Sequence, residues 1–117
     1  METNEAVKAL AALAQNSRLA AFRLLVEAGP EGMAAGAIAE RLALPAPTAS
    51  FHLAQLANAG LIRSRTEGRF VIYAADFERM QTLIGFLTDN CCEGGFCAVT
   101  PVAPVAFKPR SKAKSPA

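Results

Sequence analysis

Long apolar segments and histidine are nearly absent from this sequence, and both absences limit what the protein can do. No apolar run reaches the roughly 20 residues that a transmembrane helix needs. The first ten residues, METNEAVKAL, lack the basic and apolar blocks of a signal peptide. We therefore expect a cytoplasmic protein with no membrane partner. His52 is the only histidine. Because the sequence shows no Ser/His/Asp or paired-carboxylate constellation, we expect no enzymatic activity.

Cysteine is missing from the first 90 residues, and all three cysteines of the chain fall within the next seven. They are Cys91, Cys92 and Cys97, in the run Cys-Cys-Glu-Gly-Gly-Phe-Cys. A structural cysteine more often stands alone among aliphatic residues, and an odd number argues against a closed disulfide framework. Three thiols this close, with two glycines that permit a chain reversal, predict a small pocket for a soft ligand.

Length, composition and charge predict a single domain followed by a tail. The chain has 117 residues, the size of a single domain, and small alanine-rich helical domains often complete their cores by dimerising. We place the domain in residues 1–99 and expect residues 100–117, rich in proline and basic residues, to be a flexible tail. Residues 35–75 have four arginines against two glutamates, a net charge of +2, and are suited to phosphates.

Hydrophobic periodicity predicts a mainly α fold of the winged helix-turn-helix type, with about five helices and a two-stranded β-hairpin wing. Asn16-Ser17 is the predicted cap of the second helix and Asp76 that of the last. Alternating residues on either side of Thr66-Glu67-Gly68 predict the hairpin. The predicted helices cover residues 4–15, 18–28, 35–42, 47–59 and 76–90, and the predicted strands cover 61–65 and 69–73.

The fourth helix and the hairpin form the candidate DNA-binding surface. The second helix of a helix-turn-helix pair enters the major groove, while the first crosses behind it. With Ala49, Leu53 and Leu56 facing inward, hydroxyl, amide and aromatic side chains are left to address bases or phosphates. The helix has no Lys or Arg, so phosphate attraction is assigned to the hairpin. The predicted DNA-binding residues are Thr48, Ser50, Phe51, His52, Gln55, Arg63, Arg65 and Arg69.

Some of these residues have a second interpretation. His52 is as compatible with a hydrogen-bonded, half-buried helix position as with a base contact. Phe51 is too large and apolar to be left in solvent, so we expect it to contact DNA or a neighbouring helix. A weakly basic winged helix is also compatible with a protein-docking module that binds no DNA.

Several motifs resemble the ArsR/SmtB family of bacterial metalloregulators over about residues 5–92. The most specific is Thr-x-Ser-x-His-Leu-x-x-Leu-x-x-Ala-Gly-Leu from Thr48 to Leu61, followed by the wing motif Glu67-Gly68-Arg69. The family consists of homodimeric winged-helix repressors that leave their operator when an inducer binds. The resemblance therefore implies a homodimer that binds double-stranded operator DNA. The other matching segments are Asn16-Ser17-Arg18-Leu19, Ala39-Glu40-Arg41-Leu42 and Tyr73.

The same resemblance indicates where the inducer binds. Some relatives carry a Cys-Val-Cys motif before the recognition helix, whereas this chain has Met33-Ala34-Ala35-Gly36 in that region. Other relatives carry a histidine-rich zinc site on the last helix, whereas residues 76–90 of this chain contain no histidine. Asn-Cys-Cys with a third cysteine is similar to the arsenite-responsive subgroup. The resemblance thus implies that As(III) or Sb(III) is bound by Cys91, Cys92 and Cys97. Three thiolates with no evident fourth ligand suit such a three-coordinate soft ion.

Other ligands and functions stay open at this point. Asp89, Glu93 or water would supply a fourth ligand for zinc or cadmium. A disulfide between two of the cysteines would make a redox sensor of the same fold. A thiol scavenger that binds no DNA is a further alternative, whereas the Cys-Cys-x4-Cys spacing does not match a thiol-disulfide enzyme. For a sensor, we expect residues 4–15 and 76–90 to form the dimer interface.

Overall fold

Five α-helices and a three-stranded antiparallel sheet make up residues 1–89, the part of the chain that the computed structural model describes. The predicted winged helix-turn-helix fold is confirmed. Cys91, Cys92, Cys97, the predicted domain end at residue 99 and the predicted tail lie outside the described residues. The helices are α1 (Thr3–Leu13), α2 (Asn16–Ala28), α3 (Ala35–Leu42), α4 (Ala46–Asn58) and α5 (Phe77–Leu87), with a short 3₁₀ turn at Gly29–Glu31. The strands are β1 (Met33–Ala34), β2 (Ile62–Glu67) and β3 (Phe70–Ala75), in the order β1-β3-β2.

Strand β1 is an addition to the predicted two-stranded hairpin. It pairs with β3 through Met33↔Tyr73 and Ala34↔Ile72, and two residues are too few to show a strand periodicity in sequence. Gly32 makes the close approach possible, because it has φ +74° and a Cβ there would collide with the Tyr73 carbonyl. The pairing of β1 with β3 thereby connects the hairpin to the segment that leads into α3.

The helix ends are partly as predicted. Asp76 caps α5, since its Oδ1 accepts a hydrogen bond from the backbone N–H of Arg79 at 3.0 Å. For α2, however, the predicted cap at Asn16-Ser17 is wrong. Gln15 is the cap, and its side-chain oxygen accepts from the N–H of Arg18 at 2.8 Å. Glutamine is not among the preferred cap residues, so the sequence pattern favoured its neighbours.

The core fills the space between the helices and the base of the hairpin. Its largest fully buried side chains come from four different segments, and α1 contributes only Ala6, Ala9 and Ala12 to it. The larger side chains of α1, Val7 and Leu10, are exposed. The largest fully buried side chains are Leu25, Ile38, Leu53, Leu56 and Leu61.

Candidate nucleic-acid interface

The outer surface of α4 carries the side chains predicted to contact DNA. Ala49, Leu53 and Leu56 are buried against the core, so the helical period turns the polar residues outward. Phe51 is 58% exposed, although its ring also meets the edge of the His52 ring at a centroid distance of 5.7 Å. We call the exposed set Thr48, Ser50, Phe51 and Gln55 the α4 face. It offers hydroxyl, amide and apolar groups, which are suited to base edges and thymine methyls.

His52 differs from the rest of the predicted set because it is half-buried. Its Nδ1 lies 3.4 Å from Nη1 of Arg18, a group that only donates hydrogen bonds. Arg18 is itself held by a 2.7 Å hydrogen bond from its Nε to the carbonyl of Ala12. This geometry favours the interpretation of His52 as a packed, hydrogen-bonded helix residue that links α4 to α2.

The wing, defined as β2, β3 and their turn, presents Arg69 at its tip. The predicted turn at Thr66-Glu67-Gly68 is wrong by one to two residues, because β2 continues to Glu67 and the turn consists of Gly68 and Arg69. Gly68 has φ +62°, as the first central residue of a tight hairpin turn requires. Among residues 1–89, Arg69 has no ion pair or side-chain hydrogen bond, so its guanidinium is available to a phosphate.

The two other wing arginines are already engaged within the chain. Arg63 donates from Nε to Oδ2 of Asp76 at 3.0 Å. Arg65 donates from Nε to Glu67 at 2.7 Å and from Nη2 to the Glu31 carbonyl at 2.8 Å. An arginine that must first break a bond to a carboxylate contributes less net binding free energy to a phosphate contact than an arginine without such a partner. The three predicted wing contacts are therefore not equivalent.

The Arg63–Asp76 pair also sets the charge at the start of α5. The hydrogen bond from Arg63 lowers the pKa of Asp76 below its ordinary value, while burial opposes the shift and the N–H of Arg79 adds to it. The same bond raises the pKa of Arg63. Asp76 is therefore a carboxylate at neutral pH, and it joins β2 to the first turn of α5.

Two basic residues beside α4 were missed by sequence reasoning. Lys8 of α1 and Arg18 of α2 line a cleft of about 420 Å³ together with Gln55 and Asn58 of α4. Ala11, Ala12 and Ala59 complete the lining. No local sequence signal predicts this arrangement, because Lys8 and Gln55 are brought together only by the packing of α1 on α4.

The predicted cysteine site falls outside the described residues. Within residues 1–89, no group of three or more His, Cys, Asp or Glu side chains is arranged to hold a metal ion. In that same part of the chain, no helix is long and apolar enough to cross a bilayer.

Comparison with known proteins gives consistent matches. Residues 13–65 match the model of a helix-turn-helix domain. HlyU from Vibrio cholerae is 30% identical, with 80% of this chain and 100% of that chain covered and a TM-score of 0.61. A structure of reduced HlyU from the same organism is 28% identical, with 78% and 93% covered and a TM-score of 0.61.

Two further solved structures match over most of their length. An ArsR-like transcriptional regulator from a Rhodococcus species is 25% identical, with 78% of this chain and 83% of that chain covered and a TM-score of 0.68. A homodimeric winged helix-turn-helix DNA-binding domain from Mycobacterium bovis, described as a possible ArsR-family regulator, is 28% identical, with 80% and 87% covered and a TM-score of 0.59. Among curated proteins, none matches the chain significantly.

Proposed function

This chain belongs to the ArsR family of winged-helix transcriptional regulators, and from that premise we propose that it is a homodimeric repressor that releases operator DNA when As(III) or Sb(III) binds its cysteines. Membership makes it a DNA-binding regulator and not an enzyme. The observation that carries the DNA-binding part is the exposed α4 face beside a wing whose tip residue, Arg69, has no partner in the described chain. An α-helix with such a surface fits the major groove, and a charged hairpin tip reaches the flanking backbone.

A second copy of the chain is the proposed occupant of an apolar surface on α1 and α5. These two helices pack on each other, and Arg79 of α5 lies 3.9 Å from Glu5 of α1. Four larger apolar side chains on them are nevertheless exposed, an arrangement that marks an interaction surface. The matched Mycobacterium bovis domain is homodimeric. The four exposed residues are Val7, Leu10, Ile84 and Leu87.

Three thiolates are the proposed ligands of the inducer. Cys91 follows the last residue of α5, Leu87, by only four positions. Thiolates prefer soft ions, and a three-coordinate As(III) or Sb(III) needs no fourth ligand. Because the three cysteines follow α5 closely in the sequence, the proposed ligand binding acts on one of the two helices assigned to the dimer.

The first turn of α5 provides the route from that helix to the DNA-binding surface. The backbone N–H of Asp76 donates to the carbonyl of Leu61 at 2.9 Å, directly after α4, and its side chain binds Arg63 of the wing. The side chain of Arg79 packs over Gly60, so that a Cβ there would lie 3.2 Å from its Nε. We call this set the α5 junction. A shift of α5 therefore moves the end of α4 and the base of the wing together.

The test is a fluorescence anisotropy titration with DNA from upstream of the protein's own gene, with and without arsenite. We expect arsenite to weaken binding by about 5–150-fold, the range of a typical allosteric coupling of ~1–3 kcal/mol. Cys91→Ser, Cys92→Ser and Cys97→Ser should each abolish this response without changing affinity in its absence. Asp89→Asn is the matched control, since it alters a potential fourth ligand but no thiol. A triple Cys→Ser variant that arsenite still releases would exclude the cysteine site.

A thiol redox sensor is the second candidate, favoured by the match to a structure of reduced HlyU. In that case peroxide oxidises two cysteine thiols to a disulfide and is itself reduced to water. Release by peroxide, reversal by dithiothreitol and loss of two hydrogens in the intact mass would identify this function. Release by arsenite under reducing conditions identifies the first candidate.

A further inference from the structure

We propose that the cleft between α1, α2 and α4 is a third DNA-contact site, in which Lys8 and Arg18 bind a backbone phosphate. This inference rests on the proposed DNA-binding function and adds a site to it. We call it the α1–α4 cleft, and its polar lining residues are Lys8, Arg18, Gln55 and Asn58.

The lining of the cleft matches the chemistry of a phosphodiester. It contains two cations and two side-chain amides, with no carboxylate. The remaining lining residues are alanines, whose small side chains leave a volume of about 420 Å³. Lys8 is exposed and has no ion-pair partner within residues 1–89. Its charge is therefore not neutralised by the described part of the chain.

Arg18 is held in a fixed orientation at the wall of the cleft. Its Nε donates to the Ala12 carbonyl at 2.7 Å and its Nη1 lies 3.4 Å from Nδ1 of His52. A guanidinium has five N–H donors, so these contacts leave several for a ligand. A planar group held in this way loses little further entropy when it binds a phosphate.

Helix ends near the cleft act against anion binding, but Arg18 offsets the effect. The carbonyl ends of α1 and α4 border the site, and carbonyl ends of helices disfavour anions. The Ala12 carbonyl, near the end of α1, is covered by Arg18 Nε. Two cations close to one anion then outweigh the partial charges that remain.

The position of the cleft fits a phosphate next to the groove that α4 occupies. Gln55 belongs to both the α4 face and the cleft, and it stands one helical turn from the exposed ring of Phe51. A helix seated in the major groove runs between two phosphate backbones. The cleft therefore supplies positive charge next to α4, which has no Lys or Arg of its own.

Lys8→Gln tests the site, with Arg23→Gln as the charge-matched control and Lys8→Arg as the rescue. Arg23 is exposed on α2 beside Glu27 and Arg41, in a different surface pocket. Affinity for duplex DNA is measured across salt concentrations for the full chain. Each phosphate contact contributes about 0.9 to the slope of log K against log salt. Lys8→Gln should lower the slope by that amount, which corresponds to roughly eightfold weaker binding at ~0.1 M salt.

The outcomes separate this site from the proposed function. Wild-type slopes in Lys8→Arg and Arg23→Gln, with a lower slope in Lys8→Gln, support the cleft. Wild-type DNA binding with an unchanged slope in Lys8→Gln, or an equal loss in Arg23→Gln, overturns the cleft alone. A wild-type protein that binds no duplex DNA overturns the proposed function and this site with it. Inorganic phosphate added at constant ionic strength distinguishes a free-anion site from a DNA contact. If phosphate raises the Tm of wild type but not of Lys8→Gln, while the salt slope of DNA binding is the same in both proteins, the cleft binds a free anion and the proposal is wrong.

Discussion

Arg69 shows how much the role of a single charge depends on its neighbours. Three wing arginines are alike in sequence, yet Arg63 bonds to Asp76 and Arg65 to Glu67 and the Glu31 carbonyl. Arg69, in the turn, has no such contact within the described residues. A phosphate therefore competes with internal partners at two positions and not at the third.

At this scale we predict different effects for Arg69→Ala and Arg65→Ala. Arg69→Ala should weaken binding equally on operator and unrelated duplexes and lower the salt slope by about 0.9, since it removes a phosphate contact and no base contact. Arg65→Ala should change the slope by less than half as much. Anisotropy titrations at several salt concentrations measure both values. Equal slopes for the two variants would mean that the internal bonds of Arg65 do not persist on DNA.

The sequence predicts which side chains form the α4 face, but it does not predict the contact of His52 with Arg18. A period of 3.6 places Thr48, Phe51 and Gln55 opposite the buried Leu53 and Leu56. The contact of His52 with Arg18 spans 34 positions in the chain. No local pattern indicates a partner at that separation.

At the scale of elements, the α5 junction connects the start of α5 to both DNA-binding elements. Asp76 has two tasks there, since Oδ1 caps α5 and Oδ2 accepts from Arg63. Its role as a cap could be predicted from the break in hydrophobic pattern before Phe77. Its bond to Arg63 could not, because the register of β2 and β3 decides which wing residue approaches it.

Asp76→Asn and Asp76→Ala separate the two tasks. Asparagine is as good a cap as aspartate, so Asp76→Asn loses the ion pair alone, whereas Asp76→Ala also loses the cap, at a cost of about 1 kcal/mol. The pKa of Asp76 is lowered in the folded state. The stability that it adds is therefore present above its ordinary pKa of 3.8 and is lost as the pH falls through the lower folded value.

Urea unfolding of wild type and Asp76→Asn across pH measures this contribution. We expect wild type to be the more stable at neutral pH, and the difference in unfolding free energy to shrink as the pH falls below 3.8. Arg63→Gln should show the same pH trend as Asp76→Asn. A difference that is independent of pH would show that the ion pair adds nothing to stability.

At the scale of the whole molecule, α1 has an unusual division of its side chains. Alanines face the core while Val7 and Leu10 face outward. A helix that packs only within its own monomer should bury its larger apolar side chains, because burial of apolar area stabilises the folded state. The outward residues of α1 and α5 are therefore assigned to the homodimer.

Leu10→Lys should dissociate that dimer, and Leu19→Lys is the matched control. Leu10 is 42% exposed on α1 and Leu19 is 45% exposed on α2, so each change places a charge at an equally exposed leucine. Sedimentation velocity should show a monomer for Leu10→Lys and a dimer for Leu19→Lys, with the same helix content in both by circular dichroism. A monomeric wild type, or a dimeric Leu10→Lys, would refute the assigned interface.

The sequence by itself determined the five helices, the two hairpin strands, their order and the α4 face, because helical and strand periodicities and turn residues are local properties. The confinement of cysteine to residues 91–97 is read directly from the sequence. Tertiary structure alone decided the pairing of β1 with β3, the internal bonds of Arg63 and Arg65, and the α1–α4 cleft. Each of these joins residues far apart in the chain. Their contacts depend on how the helices and strands pack on each other, and the hydrophobic periodicity of the sequence contains no information about that packing.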